Sequence, residues 1–111
     1  MDYPEASELD KRVTFRRRLD VPALGGGVVA EFPDTFDRWA KLVPVGTAAY
    51  LSGQQTDVKV THRVIVRFLE GVGGDFEITL GRQTFRVERA APLRGGRDFT
   101  VFEVEELGHG Y

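Results

Sequence analysis

Asp57-Val58-Lys59-Val60-Thr61-His62-Arg63-Val64-Ile65-Val66-Arg67-Phe68 reads as a β-strand. Val58, Val60, Val64, Val66 and Phe68 share one face, with His62 among them, while Asp57, Lys59, Thr61, Arg63 and Arg67 share the other. That is the two-residue period of a strand with one face on a core and one in water. Downstream, Gly71 and Gly73-Gly74 mark a turn, after which Phe76, Ile78 and Leu80 alternate with Asp75, Glu77 and Thr79. Gly81 makes a tight turn into a strand over Arg82–Ala90, with Phe85 and Val87 inward. Pro92 and Gly95-Gly96 form a loop before a last strand from Asp98 to Leu107. There the apolar phase changes at Val101-Phe102, which predicts a bulge or burial on both faces.

Upstream, a strand over Thr35–Val43 carries Trp39 among charged neighbours and closes at Pro44, which cannot donate to a ladder. Residues 44–56 are small and neutral and read as a long loop, with one helical turn fitting Thr47–Leu51. Residues 20–34 contain Pro22, Gly25-Gly26-Gly27 and Pro33 and read as a second long, mobile loop. Before it, Lys11–Leu19 alternates as a first strand, with Val13, Phe15 and Leu19 facing one way and Arg12, Thr14, Arg16 and Arg18 the other. Residues 1–8 read as a flexible N-terminus. Six short strands separated by turns predict an all-β chain, a small six-stranded antiparallel barrel or sandwich with long loops, in a single domain spanning 1–111.

The 111 residues suit one core, and 41% hydrophobic with 29% charged residues argues against disorder. A net charge of -2 is spread evenly, with seven basic and eight acidic residues up to Gln55 and eight and nine after it. The chain therefore lacks the global positive field of a nucleic-acid binder. With no cysteine, a disulfide scaffold, a thiolate nucleophile and a Cys-based zinc site are excluded. The acidic start Met1-Asp2-Tyr3-Pro4-Glu5 lacks the pattern of a targeting segment, and no run approaches the roughly 20 apolar residues of a membrane span. The expectation is synthesis in the cytoplasm, with no membrane partner.

No catalytic, cofactor-binding or metal-ligating constellation emerges. His62 and His109 are the two histidines, and their spacing is not that of a ligand pair. His62 reads as a partly buried side chain satisfied by a hydrogen bond rather than as a catalytic base. Gly25-Gly26-Gly27 lacks the spacing of a phosphate loop and a following Lys-Ser or Lys-Thr pair. Ser7 and Ser52 lack the glycines of a nucleophile elbow, and Glu103, Glu105 and Glu106 spread over both faces of a strand. Arg16-Arg17-Arg18 cannot form one continuous patch in a strand, because its middle member points away. Salt bridges to carboxylates of a neighbouring strand or subunit are the simpler use. Trp39 suits a core anchor and an interface hot spot equally.

Several pieces in order resemble the phage head–tail joining family, also called head-closure or head–tail adaptor proteins, over about Leu9 to Leu107. They are Leu9-Asp10-Lys11-Arg12-Val13-Thr14-Phe15, similar to the family's opening strand, and Val28-Val29-Ala30-Glu31-Phe32 after a Gly-containing loop. Then come Arg38-Trp39-Ala40-Lys41-Leu42-Val43-Pro44 and the connector with Gly53-Gln54-Gln55. The most specific piece is Val60–Phe68 with its Thr-His-Arg, followed by the closing hairpin Ile78–Glu88.

The resemblance implies a structural virion protein of the neck of a phage or phage-like particle, made in the host cytoplasm. It would form a homo-oligomeric ring, a dodecamer, with the portal and its adaptor above and a tail terminator or tail protein below. The ring would close the DNA-filled head. No cofactor is implied. Passing double-stranded DNA would meet the connector, with Gly46, Thr47, Tyr50, Ser52, Gln54 and Gln55 as candidate channel residues. No charged side chain lies from Val43 to Thr56, so phosphates would be held only weakly; a plain surface connector reads equally well. Arg16, Arg18, Trp39, Arg63 and Arg67 are the candidate subunit interface. The competing readings are a small β-barrel binding module for oligonucleotide or protein ligands, which would need exposed aromatics on a basic face, and an enzyme whose residues converge only in space.

Overall fold

The strand pattern closes on itself. A computed structural model describes residues 4–45 and 59–108, in which six antiparallel strands form a closed barrel in the order β1-β2-β3-β6-β5-β4. They are β1 (Lys11–Pro22), β2 (Val28–Pro44), β3 (His62–Arg67), β4 (Phe76–Leu80), β5 (Gln83–Pro92) and β6 (Phe99–Glu106), with single 3-10 turns at Ala6–Glu8 and Leu93–Gly95. Closure removes the unpaired edges that an open six-stranded sheet would present.

The inward faces fill the barrel. Val13, Phe15, Val64, Val66, Ile78, Phe85, Val87, Phe102 and Val104 are all essentially inaccessible to solvent and belong to one cluster with Ala40, Val72 and Phe76. Phe15 anchors it, stacked on Phe36 at 5.2 Å between ring centroids and edge-on to Phe102 at 5.2 Å. Such offset and edge contacts are preferred because they oppose the positive rim of one ring to the negative face of another.

A second, smaller cluster lies on the outside of the same wall. Ile65, Phe99 and Val101 point outward from β3 and β6 and are covered by Leu9 and Leu93. The apolar phase change at Val101-Phe102 is therefore burial on both faces. The bulge sits instead on β5, where Glu88 is the extra residue between the pairs Val87↔Val104 and Arg89↔Glu103. The start of the chain is part of this cover: Leu9 is buried, and Lys41 donates to Glu8 Oε1 at 3.1 Å. Residues 4–8, expected to be flexible, are held by this contact and by a 3-10 turn in which the Glu5 N–H donates to Glu8 Oε2 at 2.7 Å.

The largest departure from the sequence reading concerns residues 20–34. They are the far part of a long hairpin, with β1 paired to β2 from Lys11↔Ala40 to Pro22↔Val28. Two devices reconcile the prolines and glycines with pairing. Phe32 and Pro33 oppose the single residue Arg18, so the proline falls at a bulge, where its missing N–H costs no ladder bond. Gly25, Gly26 and Gly27 have φ of 89°, 102° and 79°, a region that only glycine enters without strain, and they build the turn itself. Leu19, expected to face the core, lies beyond that bulge and is 44% exposed.

The hairpin outruns the barrel. β4 pairs with β1 only over Thr14–Arg17, and β3 pairs with β2 only over Ala40–Pro44. Past Arg17 the two strands pair only with each other, and Arg18 alone reaches β4 and the residue before it, through its side chain on Glu77 and its N–H on the Asp75 carbonyl. Five residues from Arg18 to Pro22 span about 17 Å at the usual rise. That matches the excess of the long dimension in overall extents of 50 × 31 × 27 Å. We call this projection the arm.

The strand expected over Asp57–Phe68 is shorter, His62–Arg67. Asp57 and Val58 lie outside the described residues, and Lys59–Thr61 approach without ladder pairing. The central placement holds, since β3 is flanked by β2 and β6, with Val64, Ile65 and Val66 wholly buried.

Candidate functional site

With the interior occupied by side chains, whatever this chain does it does through its surface. Three surfaces are built from the residues singled out above.

The first is the root of the arm. Arg16 and Arg18 point outward on β1 beside Glu77 of β4, the ladder partner of Arg16. Glu77 is only 5% exposed. Arg16 donates Nε and Nη2 to Glu77 Oε1 at 3.2 and 2.7 Å, and Arg18 Nη1 reaches Oε2 at 3.4 Å. The Arg16 guanidinium also lies over the Phe32 ring at 4.0 Å, a cation–π contact from the arm's other strand. Arg18 also pairs with Asp20 at 3.0 Å, and Asp20, then Glu77, hold its guanidinium still more firmly protonated than usual. Arg17, on the other face, pairs with Asp34 at 2.8 Å. The arginine triple therefore serves neighbouring strands and fixes the direction in which the arm leaves the barrel.

The second surface is a belt across four strands. Arg12 of β1 lies over Trp39 of β2 at 5.3 Å, and Arg67 of β3 lies over Phe99 of β6 at 5.2 Å. Trp39 is 54% exposed, so it is not a core anchor. It floors an open cleft of about 480 Å³ whose walls are Ala6, Ser7, Leu9, Asp10 and Arg67. Next to the belt, Arg63 meets Glu103 at 3.6 Å, and Glu103 also takes Arg89. The five candidate interface residues thus divide between the arm root (Arg16, Arg18) and one outer face (Trp39, Arg63, Arg67).

The third surface is the root of the β2–β3 connection. Candidate channel residues Gly46, Thr47, Tyr50, Ser52, Gln54 and Gln55 lie outside the described residues, but both ends of their segment are placed. The Val45 N–H donates to the Thr61 carbonyl at 2.9 Å, and the Thr61 N–H donates to Val104 at 2.8 Å. The Thr61 hydroxyl accepts from the Glu106 N–H at 2.6 Å. His62 packs edge-on against Phe85 at 5.1 Å, its Nδ1 lying 3.0 Å from that hydroxyl. This is a partly buried, satisfied histidine, and the Thr-His-Arg run is a lock on β6. Among the described residues no group of three acidic or histidine side chains could hold a metal ion, and no helix is long and apolar enough to cross a membrane.

Sequence reasoning placed Glu77 on the polar face of its strand with Asp75 and Thr79 and missed its partners, because an acid between two inward apolar residues is the ordinary outward position of a strand. It also missed the apolar arm tip, where Leu24 is fully exposed and Val28 and Val29 are 70% and 48% exposed. The run Val28-Val29-Ala30 was its trace.

A packed antiparallel barrel of six strands with a projecting arm defines a small β-barrel protein. The family model for the phage head completion protein matches residues 4–107, and the chain belongs to that family. Its role is accordingly a structural one in phage head closure. Among solved structures, the solution structure of protein SF1141 from Shigella flexneri 2a is similar, with a TM-score of 0.69 and 15% identity over 93% of this chain and 96% of that one. At that identity the likeness speaks for the fold. No curated protein matches.

Proposed function

We propose that the protein forms a ring in the neck of a phage or phage-like particle, below the portal and its adaptor, closing the DNA-filled head and presenting a platform to the tail. The observation that carries this reading beyond family membership is the bipolar use of β2. This one strand runs from the arm at Val28 to Pro44, so the arm and the start of the β2–β3 connection lie at opposite ends of the barrel. A subunit built that way can touch a neighbour with one end while the other faces a common axis.

The connection is suited to the axis. Its two ends are clamped at Val45 and Thr61, so a segment without charge between Val43 and Thr56 starts from a rigid base. Neutral side chains give passing phosphates no ion pairs to break, and DNA release stays only weakly salt-dependent. A binding barrel for single-stranded nucleic acid is less well supported, because Phe15, Phe76, Phe85 and Phe102 are buried rather than displayed as stacking platforms, and the exposed Trp39 has Asp10 and Asp37 beside its arginines rather than a wholly basic face.

Cysteines placed at Thr47 and Ser52 test the reading. In assembled necks they should cross-link between subunits, and shortening the connection should cause DNA loss. Cysteines reactive only toward outside reagents, in particles that keep their DNA with a shortened connection, would refute the channel role.

A further inference from the structure

We infer that the apolar tip of the arm seats in the Trp39 cleft of a second copy of the chain. The inference rests on the ring reading, since the partner it names is the neighbouring subunit.

The tip and the cleft are complementary. The tip offers Leu24, with Val28 and Val29 exposed on its two faces, on a turn whose three positive-φ glycines shape it without help from a partner. Preformed shape lowers the ordering cost of docking. The cleft offers an exposed indole walled by Ala6 and Leu9. Charge bears on the choice of partner as well. The segment from Leu19 to Phe32 carries Asp20, already paired with Arg18, and Glu31, and no basic residue, whereas the cleft carries both signs, Arg12 and Arg67 beside Asp10 and Asp37. Like charge therefore disfavours tip-to-tip contact, while the cleft leaves Arg67 for Glu31 to meet.

The occupant has to come from another copy. Val28 and Trp39 lie on the same strand, and their separation of 11 positions is about 36 Å of extended chain, so a subunit's own tip cannot reach its own cleft. Edge-to-edge pairing of arms is blunted, because the outer edge of β2 carries Glu31, Pro33, Asp34 and Asp37. Because tip and cleft are different patches, each copy gives one and receives one. Such head-to-tail contacts propagate until rotation closes them into a ring. One tip is a small contact, and closure multiplies it by raising the effective concentration of the last joint.

The chain has no cysteine, so cross-links can be placed cleanly. Full-length Leu24→Cys and Ser7→Cys proteins, mixed in equal amounts with a short bis-maleimide, should give covalent dimers and stop there. The double variant should give a ladder of multimers, and each single variant alone should stay monomeric. Adding Trp39→Ala should cut the dimer yield of the mixture at least fivefold. Absence of mixed dimers, or Leu24→Cys dimerising alone as well as in the mixture, would overturn the inference. Native mass spectrometry of the unmodified protein separates the two readings. A closed multimer without tip-to-cleft cross-links leaves the ring and removes this contact, whereas monomers without cross-links remove both.

Discussion

The Arg16 guanidinium donates two hydrogen bonds to one oxygen of Glu77, a carboxylate that the arm has almost wholly taken out of water. The pair joins β1 to β4 one residue before the ladder between them ends at Arg17↔Phe76. Removing the acid strands two arginines, whereas removing Arg18 strands little, because it is half exposed and keeps its surroundings of water. Glu77→Ala should therefore lower stability by about 2–4 kcal/mol, less than a fully buried pair because Arg16 retains some solvent. Arg18→Ala should cost under about 1 kcal/mol. Urea unfolding of the two variants checks the ranking, and equal costs would contradict it.

Thr100, buried at the arm end of β6, ties down the residue after Phe68 with its hydroxyl. It accepts from the Leu69 N–H at 2.9 Å and donates to the Leu69 carbonyl at 3.1 Å. Thr100→Val keeps the shape and leaves both backbone groups without that partner, an expected loss of about 1–3 kcal/mol. Faster hydrogen exchange at the Leu69 amide should accompany it.

Gly26 has φ of 102°, and a Cβ there would meet no neighbour. Gly26→Ala therefore costs backbone strain alone, about 1–2 kcal/mol. Because the arm tip lies outside the barrel, the loss should appear as faster exchange of the amides of Ala23 and of position 26 with the melting temperature nearly unchanged. A large drop in melting temperature would mean the tip supports the core.

Val64 faces the barrel interior with no solvent access. Val64→Asp places an unpaired carboxylate there, at a cost of several kcal/mol against a stability of roughly 5–15 kcal/mol. No cooperative melt should survive. Arg63→Ala and Arg67→Ala, on the outer face, should leave the melt within about 1 kcal/mol of the parent; a defect confined to particle assembly would mark them as contacts.

Glu8 sits below the ordinary carboxylate range, first because the Glu5 N–H donates to it and second because Lys41 does. A folded-state value below the unfolded one gives stabilisation that is present above the unfolded value, about 4.3, and lost as pH falls through the lowered one. Acidification should therefore loosen the N-terminal segment from β2. The Leu9 methyl resonances should report this in the parent between pH 5 and 2, on the order of the usual carboxylate range, and Glu8→Gln should lack the step.

Much of the fold was legible along the chain. The alternation in Val60–Phe68, Phe76–Leu80 and Arg82–Val87 is set by the two-residue period of a strand, which each segment shows by itself, and it led to an all-β, six-stranded chain. The absence of cysteine ruled out disulfide, thiolate and Cys-based zinc chemistry from the sequence itself. The family was legible for the same reason, as an ordered series of local patterns. What tertiary structure alone decided was where segments meet. Pro22, Pro33 and three glycines look like loop chemistry until a bulge opposite Arg18 and a positive-φ turn absorb them into a paired arm. Ile65 and Phe99 sit on the charged side of the alternation, and only their cover of Leu9 and Leu93, 56 and 6 residues away in sequence, makes a second core. Glu77 is one acid among 17 until β1 brings two arginines to it. Local period is written in neighbours along the chain, whereas burial, pairing partners and the reach of the arm depend on contacts between residues tens of positions apart.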